Sequence, residues 1–369
     1  MKEGVGKMRY NKGEWSEAYV FLKILGDGKV TAGNSNEGDF YPILTVFKEN
    51  ECIVYKIIHN DQKSYETDHV CIERVDKKGI KKISSKELIS KYSILLNKIE
   101  EGKGRSFSIP EINKFLNKIG INRIKEGSQS KSDISLEIRD LKAIKDRLLS
   151  WSIKSFLGGK PTILNASDST TFIYKINNIK EEDLAKINSF NKLKSRDWLK
   201  ERINYIKSEH QISFVKINSS VFENNLKFID TSLDRIISDM LLEFYSTKKL
   251  VAISDLIDKI SENNILAIET NAKELYKAKL LSFIKASAFG MMPNVEWTGQ
   301  YDIDGGLILA LSDGLLKMYH LLYEKEEIDN IFYENTKFET PSSTRYKMGE
   351  IYKENGDFFF NLNLQIRFK

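Results

Sequence analysis

The sequence is poor in cysteine, proline and histidine, has no long apolar run, and carries little net charge. Its two cysteines, Cys52 and Cys71, stand in no CxxC spacing and have no histidine pair beside them, which argues against a zinc site and a disulfide framework. A reducing, cytoplasmic setting fits that usage. Five prolines among 369 residues leave no Pro-rich linker between halves. The four histidines, His59, His69, His210 and His320, fit neither a catalytic triad nor an HxxxH zinc pattern and read as structural. No stretch reaches the length that spans a bilayer. The start of the chain is charged through Lys12 without the apolar core of a signal peptide, so neither secretion nor membrane insertion is expected. A Walker-type loop is absent, which disfavours ATP-driven action. The net charge of +5 is by itself a weak argument for a polyanionic partner.

What is present is an ordinary globular composition, 41% hydrophobic and 30% charged. The length exceeds the usual single-core limit and predicts one enlarged domain or two to three closely packed ones. Positive charge gathers in Lys77, Lys78, Lys81, Lys82 and Lys86, and again in Lys192, Lys194, Arg196, Lys200 and Arg202. A solvated face is the bland reading of either run, so nucleic-acid binding is permitted without being demanded.

Along the chain, Trp15, Ala18, Tyr19, Leu22 and Leu25 have the three-and-four spacing of a helix over 13–25 with one buried side, stopped by Gly26-Asp27-Gly28. Strands are expected at 41–47 and 52–58, joined by the polar Lys48-Glu49-Asn50-Glu51. Residues 84–120 read as two helical pieces broken near Gly102-Lys103-Gly104. Strands follow at 133–138, 148–156 and 171–176. From 181 to 288 the pattern is mainly helical, clearest in the stripe Leu233, Ile236, Ile237, Met240, Leu241 and Phe244. Strands return at 306–311 and 358–368 with a helix between, and Gly305-Gly306 reads as a turn into the first. The expected class is α/β, of the α+β kind: a mixed β-sheet core flanked by helices, a largely helical insertion and a C-terminal β-rich part. The corresponding segments are 1–180, 181–290 and 291–369.

Within 133–138, Asp133, Ser135 and Glu137 face one way and the apolar residues the other. On the next strand Ser152 and Lys154 project to one side and Ile153 to the opposite side. An aspartate on one strand with a lysine on the next resembles the framework of the PD-(D/E)xK nucleases. The likeness becomes specific in SIKSFLG (152–158), PTILNAS (161–167) and TFIYKI (171–176), which are similar to the catalytic segment of the HpaII family of type II restriction endonucleases. GEWSEAY (13–19), STRY (343–346) and LNLQIRF (362–368) are similar to that family's two ends, so the resemblance runs nearly the full chain in collinear order.

The resemblance implies a restriction-endonuclease-like core and magnesium-dependent hydrolysis of double-stranded DNA. Carboxylate-held divalent metal activates water, relieves phosphoryl charge and assists the leaving oxygen, and Mg2+ needs only one or two carboxylates and a carbonyl from the protein. Two positions depart from the general nuclease pattern: Ser132 stands where a proline often precedes the aspartate, and Ser152 where a second acid is usual. Glu137 lies roughly 13 Å from Asp133 along an extended strand, too far to share one ion, and Asp140 has the wrong parity. Glu14 and Glu17 share a face of the first helix; Glu17 is the first choice for the missing acid and Glu14 the second, the other reading being that both cap or solvate the helix start. Asp133 and Glu17 are then the metal ligands, the Ile153 carbonyl a further one, and Lys154 the group that orients the attacking water. Arg345, Gln365 and Arg367 are candidates for reading bases, and Asn165, Ser167 and Thr170 for holding phosphate. A CCGG site, a two-fold dimer on that palindrome and a separately encoded methyltransferase that protects the host DNA complete what the family implies. The alternatives are a repair or mobile-element nuclease without sequence specificity, and a DNA-binding protein on the same fold whose catalytic site has decayed. A helical interaction protein bearing a chance SIKS string accounts for none of the matching blocks.

Overall fold

The structure is a computed structural model that describes residues 8–33, 38–48, 51–74, 77–124, 132–247, 249–342 and 346–369. In chain order, α1 (Lys12–Asp27) leads into β1 (Lys29–Ala32), β2 (Phe40–Lys48), β3 (Ile53–His59), β4 (Thr67–Arg74) and β5 (Lys77–Ser84), followed by α2 (Ser85–Glu101), α3 (Pro110–Lys118), β6 (Ile134–Asp140) and β7 (Lys145–Ser155). Two strands, β8 (Thr162–Leu164) and β9 (Thr171–Asn177), precede α4 (Glu181–Ser189), α5 (Trp198–Glu209), β10 (Gln211–Ile217), α6 (Ser220–Ile229), α7 (Leu233–Ser246), α8 (Ile253–Asn263) and α9 (Ala272–Phe289). The chain ends with β11 (Gly306–Ala310), β12 (Leu316–His320), α10 (Lys325–Asn335), β13 (Thr336–Phe338), β14 (Tyr352–Glu354), β15 (Asp357–Asn363) and β16 (Ile366–Phe368).

Contacts divide the chain into two compact units, residues 1–161 with 302–328, and residues 162–301 with 329–369. This division differs from the three sequence segments, because the chain leaves the first unit at Pro161 and returns to it for β11 and β12.

The first unit is built on one mixed sheet in the order β1-β12-β11-β7-β6-β2-β3-β4-β5. β1 also pairs with the opening residues of β2, so β1, β12, β11, β7, β6 and β2 form a closed circuit of pairings. β6 and β7 are an antiparallel hairpin in register from Ile134↔Trp151 to Asp140↔Lys145. On its other side β7 runs parallel to β11, from Trp151↔Gly306 to Ser155↔Ala310. β5 closes the open end of the sheet, with Lys81 and Lys82 exposed along it, a common guard against edge-to-edge pairing.

Helix α1 starts on a reciprocal cap. Asn11 Oδ1 accepts the Glu14 N–H at 2.9 Å and the Glu14 carboxylate accepts the Asn11 N–H at 2.8 Å. It stops at Gly28, whose φ of +73° a side chain would resist and whose N–H closes on the Ile24 carbonyl. The sequence predicts one buried side, but Val20, Phe21 and Ile24 are buried along with Trp15, Ala18, Tyr19, Leu22 and Leu25. The helix is apolar nearly all round because α2 packs on it as well as the sheet.

In the second unit, β10-β9-β15-β14 and β13-β16-β8 make two smaller sheets among the helices. The α7 stripe from Leu233 to Phe244 is core, every member being 2% exposed or less. The expected single strand over 358–368 is two strands, β15 and β16, in different sheets, with Leu364 and Gln365 between them.

Candidate active site

The geometry converges where β6 begins. Asp133 immediately precedes that strand, and its N–H donates to the Trp151 carbonyl at 3.0 Å, which sets the residue beside β7. Its Oδ2 accepts the Ile153 N–H at 2.6 Å and the Ser152 hydroxyl at 3.3 Å. Ser152 is fully buried, so where a second acid is usual this chain places a hydroxyl turned toward Asp133.

Backbone alternation along β7 decides what Ile153 offers. The Trp151 carbonyl faces β6, whereas the Ser150 carbonyl faces β11 and accepts the Gly305 N–H at 2.9 Å. With a period of two, the Ile153 N–H and C=O face the β6 side. Asp133 takes the N–H, and the carbonyl points past the first residue of β6. Lys154, on the face shared with Ser152, is half-buried.

Glu17 comes from α1, whose other faces are locked into the core. It is partly buried, and among the described residues its carboxylate has no hydrogen-bond or ion-pair partner. Burial pushes its pKa up to about 8, and the Asp133 carboxylate adds to the rise, while Lys48 and Lys154 oppose it. A carboxylate without a partner, set against a second carboxylate, is a costly arrangement that a divalent cation would relieve. Among the described residues no group of three or more His, Cys, Asp or Glu side chains converges as a metal site. Two carboxylates and one carbonyl still fit Mg2+, which keeps several waters.

Lys48 is the residue that the sequence reading missed. The sequence pattern places it first in a polar loop. It is instead the last residue of β2, 9% exposed, and its charge acts on Glu17 more strongly than that of Lys154. Since Phe47 pairs with Ser135, Lys48 lies one register step closer to Asp133.

The other acids weighed for the site, Glu137, Asp140 and the second choice Glu14, have partners of their own. Glu137 accepts the Thr45 hydroxyl at 2.6 Å on the neighbouring strand. Asp140 closes β6 with a carboxylate that accepts from Tyr323 and from the N–H groups of Lys142 and Ala143. The Glu14 carboxylate is committed to the cap of α1.

The sequence profile of the HpaII restriction endonuclease family matches residues 11–368. The chain belongs to that family. It is 39% identical over 365 residues to the type II restriction enzyme HpaII of Haemophilus parainfluenzae, covering 97% of this chain and 98% of that one. No solved structure matches the chain.

The remaining candidates from the sequence that lie among the described residues fall in the second unit. Asn165 is exposed between β8 and a single 3-10 turn, Asp168–Thr170. Ser167 is partly buried, and its N–H donates to Thr170 Oγ1 at 3.0 Å. Thr170 corrects the sequence reading. It is fully buried, with its hydroxyl against the Ser167 carbonyl at 3.1 Å and Asn363 Oδ1 at 3.2 Å, so it presents nothing to a phosphate. Arg367 is half-buried in the centre of β16, opposite Lys337 on β13 and Thr162 on β8. Gln365 precedes that strand and is half-buried, its carbonyl accepting the Glu339 N–H at 3.1 Å. Arg345 lies outside the described residues.

Both cysteines are free thiols, Cys52 exposed and Cys71 half-buried. Among the described residues no helix is long and apolar enough to cross a membrane.

Proposed function

We propose that the chain is a cytoplasmic, magnesium-dependent nuclease that cuts double-stranded DNA at a specific sequence, with the site built by Glu17, Asp133, Ile153 and Lys154. The single observation that carries this reading is the meeting of a helix carboxylate and a strand-entry carboxylate within reach of one another's charge, beside Lys154. A hairpin of β6 and β7 with β11 parallel to β7 and α1 packed on β7 supports a restriction-endonuclease-like core.

In this reading Glu17, Asp133 and the Ile153 carbonyl would hold Mg2+, which would supply Lewis-acid relief of phosphoryl charge and help to activate water. The Ile153 N–H and Ser152 hydroxyl fix the orientation of Asp133. Lys154 orients the attacking water and offsets charge on the scissile phosphate. Glu17 must be ionised to serve, so DNA cutting requires the loss of a proton that burial and Asp133 both retain.

Gln365 and Arg367 are proposed to read base edges and Asn165 and Ser167 to hold backbone. Kinship with the HpaII enzyme makes CCGG the site to try first. A palindrome of that kind calls for a homodimer, and a separate methyltransferase would protect the host. The test is digestion of DNA of known sequence with Mg2+, followed by sequencing of the fragment ends. Discrete ends at one motif are expected. Ends scattered at random would indicate a non-specific nuclease, and binding without cutting a decayed site.

A further inference from the structure

The loop between α4 and α5 carries Lys192, Lys194 and Arg196 on the surface of the second unit, and all three are exposed. The loop is folded on itself. Asn191 Oδ1 accepts the Leu193 N–H at 3.1 Å, and the Asn191 carbonyl accepts the Lys194 N–H at 3.0 Å. Ser195 Oγ accepts the Asp197 N–H at 3.1 Å and donates to Glu201 at 3.0 Å. These bonds hold the loop in a local turn, and Leu193 at its tip is 98% exposed.

Among the described residues, none of these three cations has a side-chain hydrogen bond or ion pair. Some other lysines of the same unit are neutralised, among them Lys207 by Glu243, Lys259 by Glu262 and Lys285 by Asp329. The cations also precede the N-terminus of α5, a 12-residue helix whose dipole disfavours positive charge there. Asp197 and Glu201 are the acids nearest in sequence, and the Glu201 carboxylate is turned to Ser195. Ordered, unpaired and electrostatically unfavourable cations are matched by a polyanion.

We infer that the α4–α5 loop docks the phosphate backbone of double-stranded DNA on Lys192, Lys194 and Arg196, an inference that rests on the nuclease reading above. Contacts of this kind position a protein on the duplex without reading its sequence. The loop therefore contributes affinity and salt dependence, and no base preference.

The test uses the full chain and a duplex carrying its cut site, with Ca2+ replacing Mg2+ so that the complex stays uncut. Each phosphate contact contributes about 0.9 to the slope of log K against log salt concentration. The variant Lys192→Gln with Lys194→Gln and Arg196→Gln should flatten that slope by about 2–3. Its single-turnover cutting rate at saturating enzyme and its cut positions should match the parent's. Replacing both lysines by arginine should restore the slope. An unchanged slope in a folded variant, or altered cut positions, overturns the inference while the parent still cuts. A parent that neither binds nor cuts the duplex overturns the nuclease reading itself.

Discussion

Asp133 Oδ2 and the Ile153 N–H are 2.6 Å apart, so the residue that enters β6 is fastened by its side chain to the strand that carries Lys154. The same carboxylate is proposed to hold the metal, and the two duties separate by substitution. Asp133→Asn keeps an oxygen for the Ile153 N–H but loses the charge; cutting should fall at least ~1000-fold with stability unchanged within about 1 kcal/mol. Asp133→Ala also orphans the N–H, which costs about 1–3 kcal/mol. Urea denaturation beside a cutting assay measures both, and equal stability for the two variants would remove the structural duty.

Glu17 predicts an unusual pH dependence. Its folded pKa of about 8 lies far above the ordinary glutamate value of 4.5. Between those values the folded protein holds a proton that the unfolded chain has released, so metal-free stability should fall as the pH rises through that window. Glu17→Gln should flatten this fall and make the metal-free protein more stable at pH 9 by about 1–3 kcal/mol, while abolishing cutting. Because the metal must displace the proton, Ca2+ affinity should climb as pH approaches 8. Calorimetric titration across that range would detect it, and a pH-independent affinity would exclude Glu17 as a ligand.

Helix α1, β6 and β7 were legible because each shows its period locally: three-and-four spacing stopped by Gly28, strict alternation from Ile134, and the SIK run on β7. Lys48 was illegible because nothing within its own neighbourhood distinguishes the last residue of an apolar strand from the first residue of a polar loop. Its meaning comes from register with Ile53 and from α1 overhead. The break between β15 and β16 was hidden because alternation continues in the sequence through Leu364 and Gln365. The division at Pro161 falls in a short connection between β7 and β8, where Gly158-Gly159-Lys160-Pro161 is too brief a signal to mark a unit boundary from the sequence.

The two lysines of the site should fail differently. Lys154→Ala should reduce cutting at least ~1000-fold and leave Ca2+-supported DNA binding measurable, because water orientation is lost while the ligands remain. Lys48→Met removes the cation that most opposes protonation of Glu17, so its pKa should rise further. Cutting near neutral pH should therefore fall and recover at higher pH, and Lys48→Arg should behave as the parent. Full pH profiles of the three variants separate these cases; a Lys48→Met loss that no pH restores would assign Lys48 a direct part in the reaction.

Thr170 gives the sharpest distinction between a residue that touches DNA and one that builds the unit presenting it. Its hydroxyl accepts the Ser167 N–H at 3.0 Å and stands 3.2 Å from Asn363 Oδ1, while the Asn363 amide donates to the Ser167 carbonyl at 2.6 Å and to Thr171 Oγ1 at 2.8 Å. Asn363 and Thr170 are both fully buried, so each bond replaces one that water cannot supply. Thr170→Val preserves shape but leaves the Ser167 N–H and Asn363 Oδ1 short of a partner, for an expected loss of about 1–3 kcal/mol. The dissociation constant for DNA in Ca2+ should stay within about twofold of the parent's, well below the tenfold change that 1.4 kcal/mol of binding would produce. Weakened DNA binding with undiminished stability would return Thr170 to the phosphate contacts that its sequence position first suggested.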